Sequence, residues 1–334
     1  MLRLALPSGL ATGIGALPHL DAVAAARFVL DEMEMPAIPM LPRRSPAEAS
    51  IALALVGMRG ITIGQYGSIS VDVHALDASA PVITDLAADP FVGFRTFLAE
   101  SVAWQRERDR TIRYLKWQFV GPVTLGLTLI RAGVDEGVAF DVAVHAVRAR
   151  VEFLIDAVAT VLPEVEQVVM IEEPALRDVL QPGFPLALDA ALDLVSGAMA
   201  MVERRATSGL HVCGLADVPM QLAAGPAVLS LPVRHEVLSS AGYLDRYLQG
   251  GGYIAWGVVA TTGPLSASAD RPLRQLMALW GQLAEQGVDT GRLHRQALIT
   301  PECGLAAHSP AVAHRVHRLV AEVAQRVRAG APRT

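Results

Sequence analysis

A chain of 334 residues that is 52% hydrophobic and only 18% charged carries enough apolar material for a packed globule, which excludes disorder. Its 28 basic and 33 acidic residues give a net charge of −5, and Glu107 and Asp109 interrupt the arginines of 105–113, so nucleic acid is not an expected partner. Apolar runs such as 51–58 stop at Arg59, well short of the roughly 20 residues a bilayer span requires, and no membrane is expected.

Arg3 and a few apolar residues open the chain, but Pro7, Gly9, Gly13 and Gly15 break any signal-peptide core, so a cytoplasmic location is expected. Short apolar runs bounded by Gly or Pro follow at 12–15, 37–41, 115–120, 168–171, 209–213, 228–231, 254–259 and 297–300, and read as buried parallel strands. Helical spacing covers 21–32, 91–108, 134–161, 271–285 and 310–328. Ser45-Pro46-Ala47-Glu48 combines an N-cap, an N1 proline and a capping-box glutamate, and Ser309-Pro310 repeats the first two. The segment 61–73, alternating about Gly64, Gln65 and Gly67, reads as an inserted β-hairpin that covers one barrel end. Neither a repeat nor a linker divides the chain, so 1–334 is expected to be one (β/α)8 TIM barrel with that hairpin in its first third. A doubly wound sheet is the alternative, but Gly13-Ile14-Gly15 leads to Pro18 and lacks the phosphate fingerprint.

Two scarcities narrow the chemistry. Lys116 is the only lysine, in an apolar, strand-like run, so Schiff-base chemistry would have to pass through it. Cys213 and Cys303 are the only cysteines, too few for a disulfide scaffold. His211-Val212-Cys213 ends a strand-like run, where residues two apart share a face, and Cys303 lies directly beyond another strand. Barrel closure gathers such ends, and one nitrogen with two sulfurs suits zinc while leaving a position for substrate. The competing reading is a pair of ordinary buried cysteines. Glu172 and Glu173, stopped by Pro174, offer carboxylates for an amine or for acid–base work, or else one of them caps the next helix. Thr12 to His19 form a Gly-rich strand exit whose amides suit a carboxylate; His19 either reaches the same mouth or is an ordinary loop histidine. His314 and His317 share a face of the last helix, read as solvated beside Arg315, Arg318 and Glu322.

Taken in order, Ile14-Gly15-Ala16-Leu17-Pro18, Gly121-Pro122-Val123-Thr124-Leu125, Glu172-Glu173-Pro174-Ala175-Leu176, His211-Val212-Cys213 and Pro301-Glu302-Cys303-Gly304-Leu305 resemble the catalytic domain of cobalamin-independent methionine synthase. That family is a zinc-dependent barrel in the superfamily of the uroporphyrinogen decarboxylases. The resemblance implies zinc held by His211, Cys213 and Cys303, and methyl transfer to a zinc-bound thiolate such as homocysteine. It implies that Glu172 holds the substrate's amino group and that Ile14, Gly15 and Ala16 contact its carboxylate; Glu172 and His19 are the candidate catalytic residues. Three departures stand out. Pro232 occupies the position of the family's fourth ligand, a glutamate; Thr262 falls near its acid histidine; and the full-length synthase's N-terminal half has no counterpart. A His-x-Cys with a distant Cys also resembles the corrinoid-protein-dependent thiol methyltransferases of the coenzyme M type. The donor is therefore either methyltetrahydrofolate or a methylated corrinoid protein, and an inactive zinc- and thiol-binding barrel is the third alternative.

Overall fold

The structure, a computed structural model, describes residues 5–330; Arg3 lies outside them. Its strands are β1 (Leu10–Ala11), β2 (Ile61–Ile63), β3 (Ile69–Val71), β4 (Tyr114–Val120), β5 (Glu166–Glu172), β6 (Thr207–His211), β7 (Val228–Pro232), β8 (Tyr253–Val259) and β9 (Ala297–Pro301). Seven of them form one parallel sheet in the order β1-β9-β8-β7-β6-β5-β4. β2 and β3 pair antiparallel as the expected hairpin, whose Gly67 and Ile69 share a cleft of about 460 Å³ with Thr128 and Arg131.

The sheet curls. Leu10, Met35, Val168, Met170, Val228, Tyr253, Ala255 and Leu298 pack into one buried cluster that Tyr114 joins, although Leu10 and Tyr114 lie on the two edge strands of the sheet. A flat sheet would keep those strands far apart. The alternate residues of the same strands, such as Trp117, Val169, Ile171 and Trp256, pack outward against the helices in a second cluster. Both faces are buried, which is why the strands read as continuous apolar runs rather than as alternating ones.

The expected strand at 37–41 is reduced to isolated parallel bridges, Thr12↔Met35, Ala16↔Met40 and Ala37↔Lys116. Pro36 and Pro39 remove two amide donors there, and no regular ladder forms. The segment nevertheless touches both edges of the sheet: Met35 N–H donates to Ala11 O over 3.1 Å, and Lys116 N–H donates to Pro36 O over 3.0 Å.

The long helices stand where the spacing puts them: Ala22–Glu32, Val92–Arg108, Glu136–Val161, Asp270–Glu285 and Pro310–Ala329. Asp21 and Ser309 cap the first and last through the amides of Ala24 and Val312. The capping box at 45–48 does not form. Pro46–Glu48 is a short 3-10 turn without a side-chain cap, and Glu48 instead accepts from the Leu41 amide at 3.2 Å and pairs with Arg44. Among the described residues, no helix is long and apolar enough to cross a membrane.

Candidate functional site

β5, β6 and β7 place Glu172, His211 and Ser230 side by side. Glu172 is in register with His211 at the end of the β5–β6 ladder, and the His211 ring Nδ1 lies 2.9 Å from Ser230 Oγ. This leaves Nε2 buried without a hydrogen-bond partner. Burial, reinforced by the Lys116 charge, pushes the His211 pKa down to about 3, so the imidazole is neutral, the form that ligates a metal.

Two residues past His211, beyond the end of β6, stands Cys213, and just past β9 stands Cys303. Their sulfurs meet in bonding contact as a disulfide, with Cα atoms 6.0 Å apart. The two cysteines thus form a single cross-link, not a scaffold. One ring nitrogen of His211 and the two Sγ atoms all lie within 4.8 Å of one another, the only such group of three among the described residues. The donor set fits zinc once the sulfurs are reduced: an orphaned, neutral imidazole nitrogen held by a hydroxyl on its other side, and two thiols. No carboxylate joins this group. Pro232 ends β7, and Glu302 is turned away in an ion pair with Arg234.

The two adjacent glutamates have unlike tasks. Glu173 is fully buried and accepts from the amides of Val123 at 2.8 Å and Thr124 at 2.7 Å, and from Thr124 Oγ1 at 2.6 Å. It caps the helix Pro122–Arg131, which precedes it in the chain, not the one that follows. Any Cβ at Gly121 would stand 2.1 Å from Glu173 Oε1, so the Gly-Pro-x-Thr motif is the other half of this cap. Glu172 instead points to the concave face, where the Gln118 amide donates to its Oε1. Lys116, which sequence reasoning left aside, lies beneath it with Nζ donating to Gln118 Oε1 at 3.1 Å. Only the alternation of Lys116, Gln118 and Val120 along a strand signalled that lysine's placement.

The Gly-rich exit joins the same neighbourhood. Gly15 has φ +106, and a Cβ there would meet Gln118 Cδ at 3.3 Å. The carbonyl of Ala16 accepts from the Leu305 amide at 2.8 Å, which ties Ile14–Ala16 to the loop carrying Cys303. The structure therefore brings together Ile14, Gly15, Ala16, Glu172, His211, Cys213 and Cys303.

His19 is placed elsewhere. Its ring stacks on Phe28 at 5.1 Å and lies 6.2 Å from His314. His317 stacks on the same Phe28 at 4.6 Å. The last helix thus turns His317 inward, 1% exposed, and not to solvent. Val316, Val320 and Val323 set that buried stripe, which Arg318 and Glu322 between them obscure.

No family model and no curated protein matches the sequence. Solved structures do: over 96% of this chain and 98% of theirs, it superposes with a TM-score of 0.58 at 12% identity on a B12-independent methionine synthase from Shewanella sp. W3-18-1, solved with selenomethionine. A Listeria monocytogenes protein provisionally assigned as a vitamin-B12-independent methionine synthase gives a TM-score of 0.59 at 11% identity, over 94% and 96%. At such identities the likeness is one of fold, shared with the family that the five motifs resemble.

Proposed function

We propose that the protein is a zinc-dependent methyltransferase that moves a methyl group to a thiol, homocysteine or a close relative, at the centre formed by His211, Cys213 and Cys303. The carrying observation is the convergence of those three side chains, with His211 Nε2 buried, neutral and unpartnered while Ser230 holds Nδ1. On this reading the chain is a single catalytic domain, with 35–40 as the eighth strand of a (β/α)8 barrel, and it works in a reducing, cytoplasmic setting where both sulfurs persist as thiolates. Zinc bound there supplies a Lewis acid that keeps the incoming thiol deprotonated near neutral pH, while two thiolate co-ligands keep it nucleophilic.

The remaining work falls to the chain itself. Ser230 fixes the imidazole's orientation. Glu172 receives the substrate ammonium, and the amides of Ile14–Ala16 receive its carboxylate. Pro232 contributes no fourth ligand, which leaves a position for the thiol.

One feature favours a methylated corrinoid protein over methyltetrahydrofolate as donor. After β8, residues 260–269 contain no titratable side chain, and Thr262 stands near the family's acid histidine. A folate leaving group needs a proton, whereas a cobalt leaving group does not. His19, held against Phe28, is the nearest sequence candidate for an acid and reaches that role only if the aromatic cluster opens.

Reduced, zinc-loaded protein assayed with methyltetrahydrofolate and methylcobalamin, each against homocysteine and coenzyme M, tests the proposal. Turnover of homocysteine with methylcobalamin alone is expected. Turnover with coenzyme M alone would move the protein to the other acceptor class. Metal-loaded protein that turns over no pair would be an inactive zinc- and thiol-binding barrel.

A further inference from the structure

All but one of the 28 basic residues are arginine, and the exception, Lys116, is 2% exposed on the concave face. Among the described residues no carboxylate lies within ion-pair distance of its ammonium, and its one hydrogen-bond acceptor is the neutral oxygen of Gln118, at 3.1 Å. A cation buried with so little compensation is costly, and an alkyl residue of similar length would fill the same space without that cost. Something local must use the charge.

Hydrogen-bond chemistry identifies the use. An ammonium has donors only, so Gln118 must turn its oxygen toward Lys116. Its NH2 group is thereby turned the other way, and there it donates to Glu172 Oε1. That oxygen must then be an acceptor. Glu172 Oε2 accepts no hydrogen bond from any described residue, and it sits at the strand end in register with His211. The amide also packs beside Gly15, where a Cβ would stand 3.3 Å from Gln118 Cδ, a tighter contact than usual. Without Lys116 the amide could flip and accept from a protonated Glu172 carboxyl instead. With Lys116 the direction of the whole chain is fixed.

We propose that Lys116 is a positioning residue of the substrate site: through Gln118 it fixes a one-way donor chain, Lys116 to Gln118 to Glu172, that presents one occupied and one free carboxylate oxygen to a ligand's ammonium. This rests on the thiol-binding reading above and adds to it a residue that touches neither metal nor substrate. Arginine cannot replace the lysine, because its broad fork does not fit as a single donor beneath one amide.

Cobalt(II) in place of zinc gives a thiolate charge-transfer band that reports thiol binding without turnover. Reduced, cobalt-loaded protein is titrated with homocysteine and with 4-mercaptobutyrate, which lacks only the amine. Lys116→Met is expected to weaken homocysteine about tenfold and leave 4-mercaptobutyrate within about twofold, the scale of one charge-assisted hydrogen bond. Gln118→Met breaks the chain in its middle and is expected to reproduce that selective loss, which guards against a folding defect peculiar to one variant. In Glu172→Gln protein, adding Lys116→Met is expected to cost nothing further, because both act through one carboxylate. Equal loss for the two thiols, no loss for either, or losses that multiply in the double variant would overturn the proposal. Wild-type protein that binds both thiols equally would overturn it while leaving the thiol-binding reading in place; wild-type protein that binds neither would remove both.

Discussion

His211 on one side and His19 with His317 on the other bury ring nitrogens without hydrogen-bond partners, and only His211 has the makings of a metal centre. At the sheet mouth His211 is gripped through Nδ1 by Ser230, its Nε2 is buried without a partner, and one of its ring nitrogens lies within 4.8 Å of two sulfurs. Between the first and last long helices, His19, His314 and His317 surround Phe28 with ring centroids 4.1 to 5.1 Å from it. Burial, reinforced by the neighbouring His314 and His19, pushes His317 down to about 3, as far as His211. The comparison teaches that a depressed histidine pKa marks desolvation and not ligation. What separates the two places is an orienting partner on one ring nitrogen and further donors converging on the ring.

Metal content should break the comparison open most sharply. His211→Ala and Cys303→Ser are expected to reduce zinc in reduced protein from about one to less than about 0.2 per chain, since a site of three protein ligands does not hold metal tightly on two. His317→Phe should retain full occupancy; elemental analysis of the three variants decides it. Ser230→Ala keeps all three ligands and removes only the orienting hydroxyl. Competition with a chromogenic chelator should show its zinc affinity lowered by about 10- to 100-fold.

The same contrast, between a group aimed into the site and one spent on the fold, recurs in the neighbouring glutamates. Glu173→Gln should lower stability by about 2 kcal/mol in urea unfolding, because at least one buried donor of the helix cap loses its acceptor. Glu172→Gln should leave the unfolding midpoint nearly unchanged while weakening amino-thiol binding. The smallest effect concerns pH. His317 is neutral in the folded chain down to about pH 3 but takes a proton near 6.5 when unfolded. The unfolded state therefore binds more protons, and stability falls as pH drops below about 6.5, by up to about 1.4 kcal/mol per unit from this residue. His317→Phe should flatten urea midpoints measured from pH 6 to pH 4; an unchanged slope would mean the ring is protonated in place.

Much of this was legible along the chain. Apolar runs between Gly and Pro located β4 to β9, because burial on both faces leaves a local mark. His211 and Cys213 lie two residues apart across a strand end, and that spacing suffices to aim both at one point. The hairpin and the long amphipathic helices announced themselves in the same way, through periods of two and 3.6 residues.

Other features were settled only when distant segments met. Nothing near Glu172 and Glu173 tells which faces the site; Thr124 and the amides of 123 and 124, about fifty residues earlier, decide it. The charged residues around His317 hide a stripe that only packing against Phe28 turns inward. Ser230 becomes the partner of His211 because β6 and β7 are neighbours in the sheet. Lys116 looks like a stray cation in an apolar strand until β5 brings Glu172 alongside Gln118, its neighbour two residues on. A sequence states periodicity and residue chemistry directly, since both are properties of adjacent residues. The acceptor that satisfies a buried donor comes from whichever strand the fold brings alongside, and that pairing belongs to the tertiary structure alone.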